Sequence, residues 1–84
     1  MWKEIIDKEN NNIDMVVHLG TPYKIISITM KTDEIVEIIS DLPTQVGKNG
    51  EILKTESKKL YISVKDISLI VTKFEIQTDI KKFN

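Results

Sequence analysis

The stretch Lys59-Leu60-Tyr61-Ile62-Ser63-Val64-Lys65 alternates without a fault. Leu60, Ile62 and Val64 fall on one side of an extended chain and Lys59, Tyr61, Ser63 and Lys65 on the other, because successive strand side chains point to opposite faces. This is the pattern of a half-buried β-strand. Asp66 then marks a tight turn or bend. Ile67, Leu69 and Val71 begin another strand, and the slips at Ile70, Phe74 and Ile76 predict that it bends or changes sheets.

Working back from this segment, Asp41 to Glu51 contains Pro43, Gly47 and the dipeptide Asn49-Gly50. That dipeptide tolerates positive φ and predicts a type I′ turn between Lys48 and Glu51, at the tip of an excursion from the sheet. Glu34 to Ser40 is rich in β-branched residues, with Ile35, Val36, Ile38 and Ile39, and reads as a strand. A short polar connection, Lys31-Thr32-Asp33, separates it from Tyr23 to Met30, so these two strands are expected to pair antiparallel. Adjacent Ile25 and Ile26 break the alternation there, which requires either burial on both faces or a bulge.

Gly20-Thr21-Pro22 turns the chain before that strand. In the strand ahead of it, Ile13, Met15, Val17 and Leu19 share one face and Asp14, Val16 and His18 the other. At the N-terminus Trp2, Ile5 and Ile6 stand at i, i+3 and i+4 and form an apolar stripe on a short helix that Asn10-Asn11-Asn12 ends. At the C-terminus Ile76, Ile80 and Phe83 fit a helical face, whereas Phe74, Ile76 and Ile80 fit an extended one.

These elements predict a mainly β fold, a small five-stranded and strongly bent antiparallel barrel with a short N-terminal helix. The 84 residues are expected to form one domain, with 1–12 the helix, 13–73 the barrel strands and 74–84 a C-terminal strand or helix. A chain of this size buries only about 60% of the surface exposed by its unfolded form, so its core is thin. With no cysteine, neither a disulfide nor a cysteine-ligated zinc can reinforce that core, and homo-oligomerisation is the expected support. The lack of thiols also fits a reducing compartment, and no secretory signal or membrane-spanning run is evident, so the reading is cytoplasmic with no membrane partner.

The charge balance is even: the net charge is −1, from 12 basic against 13 acidic residues, and every basic residue is lysine. No global field attracts a polyanion, and without arginine the planar fork that reads phosphates and base edges is missing. A composition of 15 Ile with no Ala or Arg also follows from an AT-rich genome, such as that of a phage or mobile element. His18 is the one histidine, which leaves no set of imidazoles for a metal site or triad and makes a rim histidine the plain reading. The acidic run Asp33, Glu34, Glu37 and Asp41 matches no calcium loop and reads as a solvated hairpin edge. No nucleophile elbow or phosphate-binding glycine loop occurs. The expectation is therefore no enzyme, no catalytic residue, no metal and no cofactor.

Two binding surfaces suggest themselves. Tyr61 flanked by Lys59, with Tyr23 and Lys65, could stack and neutralise RNA or a small nucleotide, although Glu51, Glu56 and Asp66 offset that charge. Trp2 with Ile5 and Ile6 could dock a protein, or could instead cap one end of the barrel.

The segments Met15 to Tyr23, Ile25 to Glu37 and Leu60 to Ile70 resemble those of the Sm-like small barrels. The chain departs from that family's pattern at Ile25, where the family has a glycine, and over Ser63 to Asp66. The resemblance implies an N-terminal helix, five bent antiparallel strands, ring assembly and RNA binding. A PRC-barrel-like pattern, carried by Lys3-Glu4-Ile5-Ile6-Asp7 and Tyr61 to Ile70, implies the same topology. The functional expectation is a non-enzymatic small-barrel module that self-associates and acts through protein–protein contacts. The alternatives are an Sm-like binder of RNA or a small nucleotide, and a phage-encoded inhibitor that binds a host factor or sequesters a nucleotide signal.

Overall fold

The computed structural model describes residues 1–73 and the backbone of 76–78. Helix α1 (Trp2–Glu9) precedes β1 (Ile13–His18), β2 (Thr21–Met30), β3 (Ile35–Val46) and β4 (Ile52–Ser63). A 3-10 turn (Val64–Asp66) leads to β5 (Ile67–Thr72) and a short β6 (Ile76–Thr78). All neighbours are antiparallel, in the order β4-β3-β2-β1-β5-β6. The sheet is open. β4 and β5 follow one another in the chain but share no ladder among the described residues, so the closed barrel expected from the sequence is replaced by a bent sheet with β4 and β6 at its edges. Within the segment 74–84, β6 is a strand, and the reading of 74–75 and 79–84 lies outside the described residues.

The bend lies in β2. Its first residues, Thr21 to Lys24, pair with β1, and Ile25 to Met30 pair with β3. Ile25 meets Ser40 and Ser27 meets Ile39, which leaves Ile26 as the extra residue of a bulge. Of the two readings of the Ile25-Ile26 pair, the bulge is the one realised. Ile26 accordingly turns outward and is exposed, while Ile28 returns to the core.

Two further bulges decide which side chains are buried. Ile13 faces Thr72 and Met15 faces Val71, so Asp14 is unpaired with β5 and the face of β1 switches after it. The fully buried residue of β1 is therefore Val16, from the face that alternation grouped with Asp14 and His18, and Leu19 is exposed. In β5, Val17 faces Leu69 and His18 faces Ile67, which leaves Ser68 as the extra residue. This bulge is the physical reason for the slip at Ile70, which, with Ile67, is buried.

Turn chemistry follows local conformation. Leu19 (φ 49) and Gly20 (φ 81) form the two-residue link between paired His18 and Thr21, with positive φ at both positions as a type I′ hairpin requires. This turn sits one residue earlier than Gly20-Thr21-Pro22, and β2 already begins at Thr21. At the β3–β4 tip only Gly50 has positive φ (83), so the expected type I′ turn is not formed. A three-residue loop, Lys48-Asn49-Gly50, is closed instead by the N–H of Gly47 donating to the carbonyl of Glu51 and that of Gly50 donating to the carbonyl of Gly47. Between β2 and β3, the Thr32 hydroxyl accepts from the N–H groups of Glu34 and Ile35 and shapes the connection.

One core joins the inner faces of both halves of the sheet. Val36 and Ile38 of β3, Ile62 of β4 and Val64 of the turn meet Val16, Ile28, Ile67 and Ile70, and α1 adds Trp2 and Ile6. The regular alternation of β4 is kept: Ile62 and Val64 are buried, Leu60 is half-buried, and Lys59, Tyr61 and Lys65 are exposed. Val64 and Lys65 belong to the 3-10 turn, however, because β4 ends at Ser63.

Candidate functional site

The stretch read as an excursion is a β-ribbon that continues the β3–β4 ladder beyond the rest of the sheet. β3 and β4 are each 12 residues long and remain paired from Ile35 with Ser63 out to Val46 with Ile52. The pairing of β2 with β3 ends at Ser40. Beyond it, Asp41–Val46 and Ile52–Ser57 form a two-stranded ribbon in which only Leu42 and Glu56 are half-buried. Val46, Ile52 and Leu53 are 58%, 59% and 58% exposed, and together they leave an apolar tip without a covering layer. Ile52-Leu53 beside the Asn49-Gly50 turn was the sequence signal for it, since two adjacent apolar residues do not fit a solvated alternation.

Along its outer side β4 has no neighbouring strand among the described residues. Its charges are paired with one another: Glu56 lies 3.1 Å from Lys58 and 3.4 Å from Lys54. These two ammonium groups, Lys58 first, hold the Glu56 carboxyl below the usual carboxylate range. The free side of the ribbon's other strand carries Pro43, which lacks a donor and discourages strand addition there.

The four residues expected to form a nucleotide surface are distributed over three places. Tyr61 and Lys59 share the outer face of β4, where the Tyr61 hydroxyl donates to Glu37 Oε2 at 3.0 Å and Lys59 Nζ stands 3.7 Å from the same oxygen. Glu37 is the cross-strand neighbour of Tyr61, so one carboxylate engages the phenol and the ammonium together. Lys65 lies in the 3-10 turn and contacts Asp66 at 3.2 Å. Tyr23 is half-buried and packs against the core from the β1–β2 half of the sheet.

Trp2, Ile5 and Ile6, expected as a docking stripe or a cap, point into this chain's own core. Trp2 is 6% exposed and Ile6 1%, with Ile5 packed partly buried beside them. At the start of α1, Trp2 lines a cleft of about 500 Å³ together with Met1, Ile35, Ser63 and Val64. Asp33, also in its wall, pairs with Lys3 at 2.6 Å; that contact lowers the Asp33 carboxyl and raises the Lys3 ammonium.

A second polar group of interest surrounds Asp66. Ser63 Oγ donates to Asp66 Oδ2 at 2.6 Å, and the bond, assisted by Lys65 and by His18, keeps the Asp66 carboxyl below the usual range. His18 Nε2 is buried and has no hydrogen-bond partner among the described residues. Among those residues no three His, Cys, Asp or Glu side chains gather to hold a metal ion, and no helix is long and apolar enough to cross a membrane. Compared with family models, curated proteins and solved structures, the chain matches none of them.

Proposed function

We propose that this chain is a non-enzymatic binding module that self-associates through the free edge of β4 and meets its protein partners with the β3–β4 ribbon. The observation that carries this reading is the ribbon itself. A two-stranded hairpin is marginal in water unless a further strand or layer covers it. Here the 12-residue edge strand begins with exposed Ile52 and Leu53, and Val46, the last residue of β3, is exposed beside them. An unpaired edge is a template for another strand, and long flat edges are normally shortened, bulged or covered. The opposite edge, β6, is three residues long.

Light scattering across a concentration series tests the proposal. The mass is expected to rise from monomer toward a discrete oligomer as the concentration increases. A strictly monomeric mass at the highest soluble concentration would overturn it.

A second reading, the Sm-like binder of RNA or a small nucleotide, draws its support from Tyr61. Tyr61 is 59% exposed and stands beside Lys59 on the outer face of β4, as a stacking platform requires. Binding of a fluorescent oligonucleotide that weakens as salt rises, and that is lost in Tyr61→Ala, supports this reading. Binding unchanged by Tyr61→Ala removes it.

A further inference from the structure

From the charges along β4 we infer the register in which two copies meet: an antiparallel β4–β4 pair with its two-fold axis at Ser57. The inference rests on the self-association proposed above and specifies its geometry. Among the described residues β4 is the long free edge, β6 offers three residues, and the ribbon's other free side is blocked at Pro43. An isologous contact of β4 with itself is therefore the pairing that uses the most backbone.

Symmetry restricts the possible registers. In an antiparallel pair, directly opposed residues lie on the same face of the continuous sheet, so odd positions of one strand meet odd positions of the other. The axis must then pass through one residue of each strand. An axis at Glu56 opposes Glu56 to its own copy and Lys54 to Lys58. An axis at Lys54, Lys58 or Lys59 opposes lysine to itself. Like charges directly opposite one another destabilise a sheet.

Between the lysines, two centres remain. An axis at Thr55 opposes Lys54 to Glu56 twice, but it stands at the end of the regular ladder, next to the register shift at Leu53. An axis at Ser57 also opposes Glu56 to Lys58 twice. The centre of this register also lies away from Leu53, where β4 shifts against β3, and within the regular stretch that pairs with β3 from Thr55 onward. The Ser57 axis thus satisfies charge and backbone regularity together.

Because the chain contains no cysteine, a single introduced thiol reports the axis directly. Opposed Cα atoms in an antiparallel pair stand about 4.5 to 5.5 Å apart, within disulfide range, but a residue meets its own copy only on the axis. Under mild oxidation Ser57→Cys is expected to give a covalent dimer and Thr55→Cys to remain largely monomeric. In the cysteine-free chain, Glu56→Lys is expected to weaken dimerisation by about tenfold, since two attractive pairs become repulsive. The swap E56K/K58E is expected to restore most of it, because exchanging the two charges again sets opposite signs against each other across the axis. Urea midpoints of the same variants separate loss of association from loss of folding.

Faster cross-linking of Thr55→Cys than Ser57→Cys overturns the register and leaves self-association standing. So does a dimer by light scattering that neither thiol captures, or one that E56K/K58E fails to restore. A monomer by scattering, with neither thiol cross-linked, overturns both this inference and the reading on which it rests.

Discussion

The indole Nε1 of Trp2 donates a 2.8 Å hydrogen bond to the backbone carbonyl of Ile67, 65 residues further along the chain. The bond fastens α1 to the start of β5, and the ring fills the core between the two halves of the sheet. A helix of 8 residues does not persist alone in water, so this docking is what makes α1 a helix.

Trp2→Phe keeps most of the ring but leaves the Ile67 carbonyl without this donor. The expected cost is about 1 to 3 kcal/mol of unfolding free energy, and Trp2→Ala is expected to cost about 3 to 5 kcal/mol. Urea titrations followed by far-UV circular dichroism measure both. A Phe variant as stable as the parent would show that the bond contributes nothing net.

Ser40 is completely buried, and its Oγ has no hydrogen-bond partner among the described residues. A buried hydroxyl without a partner costs about 1 to 3 kcal/mol. Ser40→Ala is therefore expected to stabilise the protein, by roughly 1 kcal/mol once the small cavity is discounted. A lower thermal midpoint for the variant is the outcome that contradicts this.

Leu19 holds φ at 49 while 71% of its surface is exposed. A leucine in the left-handed region costs about 1 to 2 kcal/mol relative to residues that enter it readily. Leu19→Asn, the residue preferred ahead of glycine in a type I′ turn, is expected to stabilise by about 0.5 to 1 kcal/mol. Its N–H continues to donate to the carbonyl of Asp66, because the substitution leaves the backbone intact. Thermal unfolding of the two proteins side by side decides the point.

Asp66 is held below the ordinary carboxylate range chiefly by the Ser63 hydroxyl. A carboxyl whose folded pKa is depressed adds stability above its unfolded pKa, and that stability is lost as pH falls through the folded value. Below the ordinary carboxylate range the 3-10 turn is therefore expected to loosen. Ser63→Ala should move the Asp66 titration upward toward the ordinary value. Carbon-detected NMR titration of the Asp66 carboxyl reads the shift, and an unmoved midpoint rules out the hydroxyl as its main cause.

Local patterning determined a good part of this protein. The alternation of Lys59 to Lys65 placed the core side of β4, the β-branched run from Ile35 gave a hairpin with β2, and Trp2, Ile5 and Ile6 marked the helix face that is buried. These readings depend on periods of a few residues, and neighbouring side chains set such periods whatever the rest of the chain does.

Three features were decided only by tertiary structure. Which face of β1 is buried depends on the bulge at Asp14, and a bulge exists only relative to the strand beside it. The destination of the Trp2 stripe depended on the carbonyl of Ile67 being presented across 65 residues. Whether the bent sheet closes, and hence whether β4 is an edge, is a matter of long-range pairing on which alternation within a strand has no bearing. That free edge, with the apolar tip of its ribbon, carries the proposed function, and it came into being only when the sheet stayed open.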